Sequence, residues 1–84
     1  MSAVERISQA VQATTCQIVH VVAADVCELC EQIKEGNSSL SAAEQQIVVD
    51  QYHGCHFAVV AHGPMVEVDI LTERAEFLLK VAKA

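Results

Sequence analysis

The residues in this 84-residue chain best able to do chemistry are its four cysteines and four histidines. Cys27 and Cys30 bracket the motif Cys27-Glu28-Leu29-Cys30, and His53 and His56 repeat its spacing. That interval is close to one helical turn, so each pair can direct two ligands to one side of a helix. Together the four have the composition of a Cys2His2 zinc site. The CxxC is also the spacing of a dithiol redox centre. Position and charge oppose the redox reading. The motif falls near the C-terminal end of the helix predicted for it, whereas reactive thiols sit at helix N-termini. Glu28 and Glu31 add like charge, which also raises a thiol pKa. The cysteines are therefore read as packed free thiols.

A helical hairpin with its turn near residue 38 sets Cys27 and Cys30 across from residues 46–49. His53 and His56 then lie one to two turns, roughly 6–10 Å, too far along. The same register brings His20 level with His56, and Cys16 level with Val60. A metal site would thus be built from Cys16, His20 and His56, with His53 nearby, and would suit zinc, copper or haem iron. The chain has no CxxCH, so covalent haem attachment is excluded. The primary expectation is no cofactor, because histidines at helix interfaces are commonly only hydrogen-bonded.

Catalysis has little to stand on. Cys55 and His56 are adjacent, hence about 100° apart on a helix, and do not form a nucleophile–base pair. There is no GxSxG, HExxH or phosphate-cradling glycine loop. The chain is read as non-enzymatic.

The charge balance narrows the partners. Eleven acids against five bases give a net charge of −6. Arg6, Lys34, Arg74, Lys80 and Lys83 are scattered, so no basic patch exists to hold nucleic acid or an anionic membrane. No apolar run approaches the ~18–20 residues of a membrane span. No leader pattern of basic, apolar and small-residue segments is visible, so a cytoplasmic location is expected.

The elements that position these residues must be few and long, because punctuation is sparse: Gly36, Gly54, Gly63 and Pro64. Ser2 with Glu5 has capping-box spacing and opens a first helix that runs to Glu35. Gly36 is its expected left-handed cap, with Asn37 supporting the turn. On this helix Ile18, Val22, Val26 and Leu29 share a face with Val4, Ile7 and Val11. Cys16, His20 and Cys27 line the opposite side. After Ser38-Ser39-Leu40, Ser41 and Glu44 repeat the capping box and start a second helix, its inner face carrying Val48, Tyr52, Cys55 and Val59. His62-Gly63-Pro64 breaks it, and Pro64 suits the first turn of a third helix. Val68, Leu71, Ala75, Leu78 and Ala82 follow a bundle-seam spacing there. Val66, Ile70, Phe77 and Val81 form a stripe roughly opposite.

The expected fold is all-α: an antiparallel bundle of three long helices, or four if the tandem β-branched Thr14-Thr15 interrupts the first. The alternative is α+β, with a hairpin over residues 56–71 turning at His62-Gly63-Pro64, since Val66 to Ile70 alternates with period two. No internal repeat is visible, and the chain reads as one domain. Apolar residues make up 52% of it, more than one small core requires. The surplus predicts a homodimer or higher oligomer, with Val4, Ile7, Val11, Val66, Ile70, Phe77 and Val81 as interface residues. The function this implies is a regulatory or inhibitory module that binds itself and another protein.

Overall fold

The computed structural model describes residues 2–36 and 39–83. The chain is predominantly helical, but it is not a three-helix bundle. Among the described residues there are four helices, α1 (Ala3–Ala13), α2 (Ala23–Gly36), α3 (Ala42–His62) and α4 (Thr72–Lys83), and a two-stranded antiparallel sheet; α1, α2 and α4 pack on the sheet, and α3 packs on α2. The strands are β1 (Ile18–Val22) and β2 (Glu67–Leu71).

The capping signals hold. The Ser2 side chain accepts the Glu5 N–H, and its hydroxyl donates back to the Glu5 carboxylate at 3.3 Å. Ser41 likewise accepts the Glu44 N–H at 3.2 Å and starts α3. At the far end of α3, Gly63 adopts φ 94 and closes the helix with its N–H on the Val59 carbonyl. Only glycine takes that backbone conformation without strain. Gly36, by contrast, ends α2 without a left-handed φ. The turn expected at Asn37 and Ser38 lies outside the described residues.

The first long helix does not exist. It stops at Ala13, as the Thr14-Thr15 break allowed, and the chain after it turns into β1 rather than a second helical piece. Ile18-Val19-His20-Val21-Val22 is rich in β-branched residues, which lose rotamer freedom in a helix and pack well on a pleated surface. The third helix also begins later than predicted. Pro64 lies in a turn, Val68 and Leu71 belong to β2, and α4 starts only at Thr72. The period-two run at residues 66–70 is therefore a strand, but not in the hairpin proposed for residues 56–71. Phe57 to Ala61 stays in α3, and β2 pairs with β1, Ile18 opposite Leu71 and Val22 opposite Glu67. Residues this far apart in sequence become neighbours because each needs a partner for its backbone N–H and C=O groups.

Each strand enters its following helix without a linker, and the joints match. The Ala23 N–H donates to the Val66 carbonyl at 2.7 Å, and the Thr72 N–H donates to the Gln17 carbonyl at 2.7 Å. The chain thus holds two α-β-α units, α1-β1-α2 and α3-β2-α4, related across the strand pair, with Val22 the counterpart of Leu71 and Ala23 of Thr72. Few of the related positions share residue identity, and only some, such as Val26 with Ala75 and Leu29 with Leu78, share burial.

Val19, Val21 and Ile70 point from the inner sheet face into a core with Leu29, Ile33 and Leu78. Each of these larger side chains stabilises the fold by roughly 1.5–3 kcal/mol through burial. The seam predicted for the second helix is realised in part: Val48 and Cys55 are buried in the core and Tyr52 is half-buried against it, while Val59 is half-buried and does not join the core cluster. Gly54 admits no close backbone, since nothing lies within 4 Å of where a Cβ would stand. α1 is clamped to α2 by Arg6, whose guanidinium meets the buried Asp25 carboxylate through two hydrogen bonds of 2.9 and 2.8 Å. The hydrogen bond to Asp25 raises the Arg6 pKa above its ordinary value, against the opposing effect of burial. Asp25 sits in the first turn of α2, where the helix dipole favours a carboxylate.

Candidate functional site

Three of the four cysteines gather where α2 packs on α3. Cys30 and Cys55 are buried, Cys27 is half-buried, and the Cys27 and Cys55 thiols lie close enough to influence each other's pKa. Burial pushes Cys30 and Cys55 up to about 12. Burial also raises Cys27, with the Cys55 thiol opposing it and Glu31 adding to it. A thiol held protonated at neutral pH is a poor nucleophile and a poor redox partner. The CxxC lies inside α2, away from the N-terminal position that would activate it.

This packing corrects the hairpin register. Cys27 faces Cys55 rather than residues 46–49, and the Tyr52 hydroxyl donates to Glu31 at 3.0 Å. Lys34 lies over the Tyr52 ring, 4.8 Å from its centre. The carboxylate that accepts the Tyr52 hydroxyl raises that phenol's pKa. His53 and His56 are thus not displaced along the helix from Cys27 and Cys30, as the sequence implied. They are turned outward instead, exposed beside Tyr52, with ring centres 6.1 and 5.9 Å from it.

The set Cys16, His20, His56 and His53 is distributed over three places. Cys16 is exposed in the connection between α1 and β1, its N–H on Thr14 and its carbonyl accepting the Thr72 hydroxyl. His20 stands on the outer sheet face with its Nδ1 against the carboxylate of Asp69, its cross-strand partner. His53 and His56 are on α3. The level alignment of His20 with His56 required both to be helical, and β1 removes that condition. Among the described residues, no group of three His, Cys, Asp or Glu side chains is arranged to hold a metal ion.

The proposed interface residues are likewise divided. Ile7, 1% exposed, and Ile70 lie in the chain's own core. Val4, Val11, Phe77 and Val81 are half-buried against it. Val66 precedes β2, so it shares no helix face with Phe77 and Val81.

The exposed apolar surface lies elsewhere. The helices cover the inner sheet face, and much of the outer face is open. There Ile18, 45% exposed, and Leu71, 50% exposed, stand directly opposite each other. Leu71 also forms one wall of a groove of about 260 Å³ with Ile47, Glu73, Arg74 and Phe77. On its other side it borders a depression of about 470 Å³ with Cys16, Gln17, Thr72, Glu73 and Glu76. A second set, Phe57, Val60 and Met65, is exposed around the C-terminal end of α3, with Phe57 at 72%. An apolar centre rimmed by charges of both signs can bind another macromolecule. The sequence held a signal for the first surface: two β-branched runs that, once paired, leave one of their faces outward.

Among the described residues no helix is long and apolar enough to cross a membrane. No protein-family model, curated protein or solved structure matches the chain.

Proposed function

We propose that this chain is a non-enzymatic protein-binding module, regulatory or inhibitory in its action, that associates with itself and with another protein through exposed apolar surface. The observation that carries this reading is the outward placement of Ile18, Leu71, Phe57, Val60 and Met65 in a domain whose core is already closed. Isolated exposed apolar residues are ordinary. Ile18 and Leu71 are not isolated, since they form one cross-strand pair continuous with a groove. The acidic balance of −6 favours protein partners over polyanions. The three packed thiols serve the α2–α3 contact, and their raised pKa values support a structural role.

Light scattering across a concentration series tests this reading. Self-association is expected at micromolar concentration, with a mass near twice the 9.1 kDa of one chain. A chain that stays monomeric and soluble up to about millimolar would remove the self-association on which the reading depends.

A further inference from the structure

The two α-β-α units are not equally finished. In the first, α1 packs on β1 and α2, Val22 is half-buried, and Asp25 receives Arg6. In the second, α3 packs chiefly along α2 instead of closing on its own strand and helix. Leu71, the counterpart of Val22, is half exposed. Arg74, the counterpart of Asp25, donates only a long 3.5 Å hydrogen bond to Gln51 and has no ion-pair partner among the described residues. Two residues lining the groove between α3 and α4, Arg74 and Phe77, are the counterparts of Asp25 and Glu28, the two carboxylates that meet Arg6 of α1 in the first unit.

An occupant of this groove must bring apolar atoms to Leu71 and Phe77 and a carboxylate to Arg74. The groove itself carries those groups. Leu71 and Phe77 lie three residues on either side of Arg74, and Glu73 is adjacent to it. A two-fold axis beside Arg74 would set Leu71 of one copy against Phe77 of the other, and each Arg74 against the opposing Glu73. Such self-complementarity is what an isologous interface requires. The alternative route, pairing of β2 edges, is disfavoured. Glu67 and Asp69 would face like charges across it, a common device against edge association.

We propose that the groove formed by Ile47, Leu71, Glu73, Arg74 and Phe77 is the docking site for a second copy of this chain, forming a two-fold dimer. This deepens, and rests on, the reading of the chain as a self-associating module.

The test uses sedimentation equilibrium on the full chain and three variants, with circular dichroism as a fold control. Leu71→Asp is expected to weaken the dimer on the order of 10- to 100-fold, as loss of a central apolar contact does. Arg74→Glu makes the patch acidic and Glu73→Arg makes it basic, so each variant alone is expected to weaken self-association on the order of 10-fold. Mixed together, the two are expected to form a heterodimer of at least wild-type strength, a gain that misfolding cannot imitate. A wild-type dimer that all three variants leave intact, or a mixture that does not associate, would place the interface elsewhere and overturn this proposal while leaving self-association standing. A monomeric wild type would overturn both.

Discussion

Ile7→Ala separates the two roles open to the first helix: interface, as its apolar stripe implies, or core, as its burial indicates. Ile7 is 1% exposed and lies in the same cluster as Val21, Leu29 and Leu78. Truncating a buried isoleucine to alanine costs about 2–5 kcal/mol, depending on how far the surroundings close the cavity. α1 is a terminal helix that can settle inward, so the lower part of that range applies, about 2–3 kcal/mol. A domain of 84 residues has a total stability of roughly 4–13 kcal/mol. The substitution therefore removes a substantial share of it. At about 4–8 °C per kcal/mol for a domain of this size, the thermal midpoint falls by roughly 10–20 °C. Urea unfolding followed by circular dichroism, at two protein concentrations tenfold apart, is the assay. The loss should be the same at both concentrations, because it originates within one chain. A loss below about 0.5 kcal/mol, or one that disappears at high concentration, would refute the assignment of Ile7 to the core.

Other outcomes follow from the same packing. At neutral pH a thiol-specific reagent should modify Cys16 first and Cys27 more slowly, with Cys30 and Cys55 reacting only on unfolding; mass spectrometry of a labelling time course checks the order, and equal rates would contradict it. Because Cys30 and Cys55 are pushed up to about 12 from an ordinary value near 9, the native state keeps protons that the unfolded chain releases. Their contribution to stability is full below pH ~9 and declines as pH rises toward ~12. Urea midpoints from pH 8 to 11 should fall in the wild type and fall less in a Cys30→Ala variant. Gly63→Ala should cost about 1–3 kcal/mol through backbone strain at φ 94, although nothing blocks the added methyl. Gly54→Ala should instead stabilise by up to about 1 kcal/mol, because Gly54 is helical and has open space. Thermal midpoints of the two variants should therefore move in opposite directions.

Signals written within one element were legible in the sequence; those that depend on a distant partner were not. Ser2, Ser41 and Gly63 act through neighbours a few residues away, and the breaks they predict are present. The inner face of α3 follows the 3.6-residue period and was readable for the same reason. Residues 18–22 fit a helical stripe and a strand equally well, since every one except His20 is aliphatic. What decides between them is β2, more than forty residues later, which no local pattern reports. That single difference displaced the rest. It took His20 away from His56, dissolving the proposed Cys16–His20–His56 site, and moved Val66 and Ile70 off the helix that was to present them. The register of α2 on α3 failed for another reason. A turn centre read from the sequence does not fix how far one helix slides along the other, and it is the fit of Cys27 with Cys55 and Glu31 with Tyr52 that sets it. The surplus of apolar residues was legible as a quantity, but its location was not. It lies at Ile18, Leu71 and the end of α3, rather than on the two predicted stripes.

Hydrogen–deuterium exchange of the peptide covering residues 67–77, recorded at low and high protein concentration, asks most directly whether the open sheet face and its groove are where the chain meets its like. Uptake there should fall as concentration rises, while peptides from α1 exchange at an unchanged rate. Uptake in that peptide that stays constant, while the chain is seen to associate or to remain single, would contradict the account.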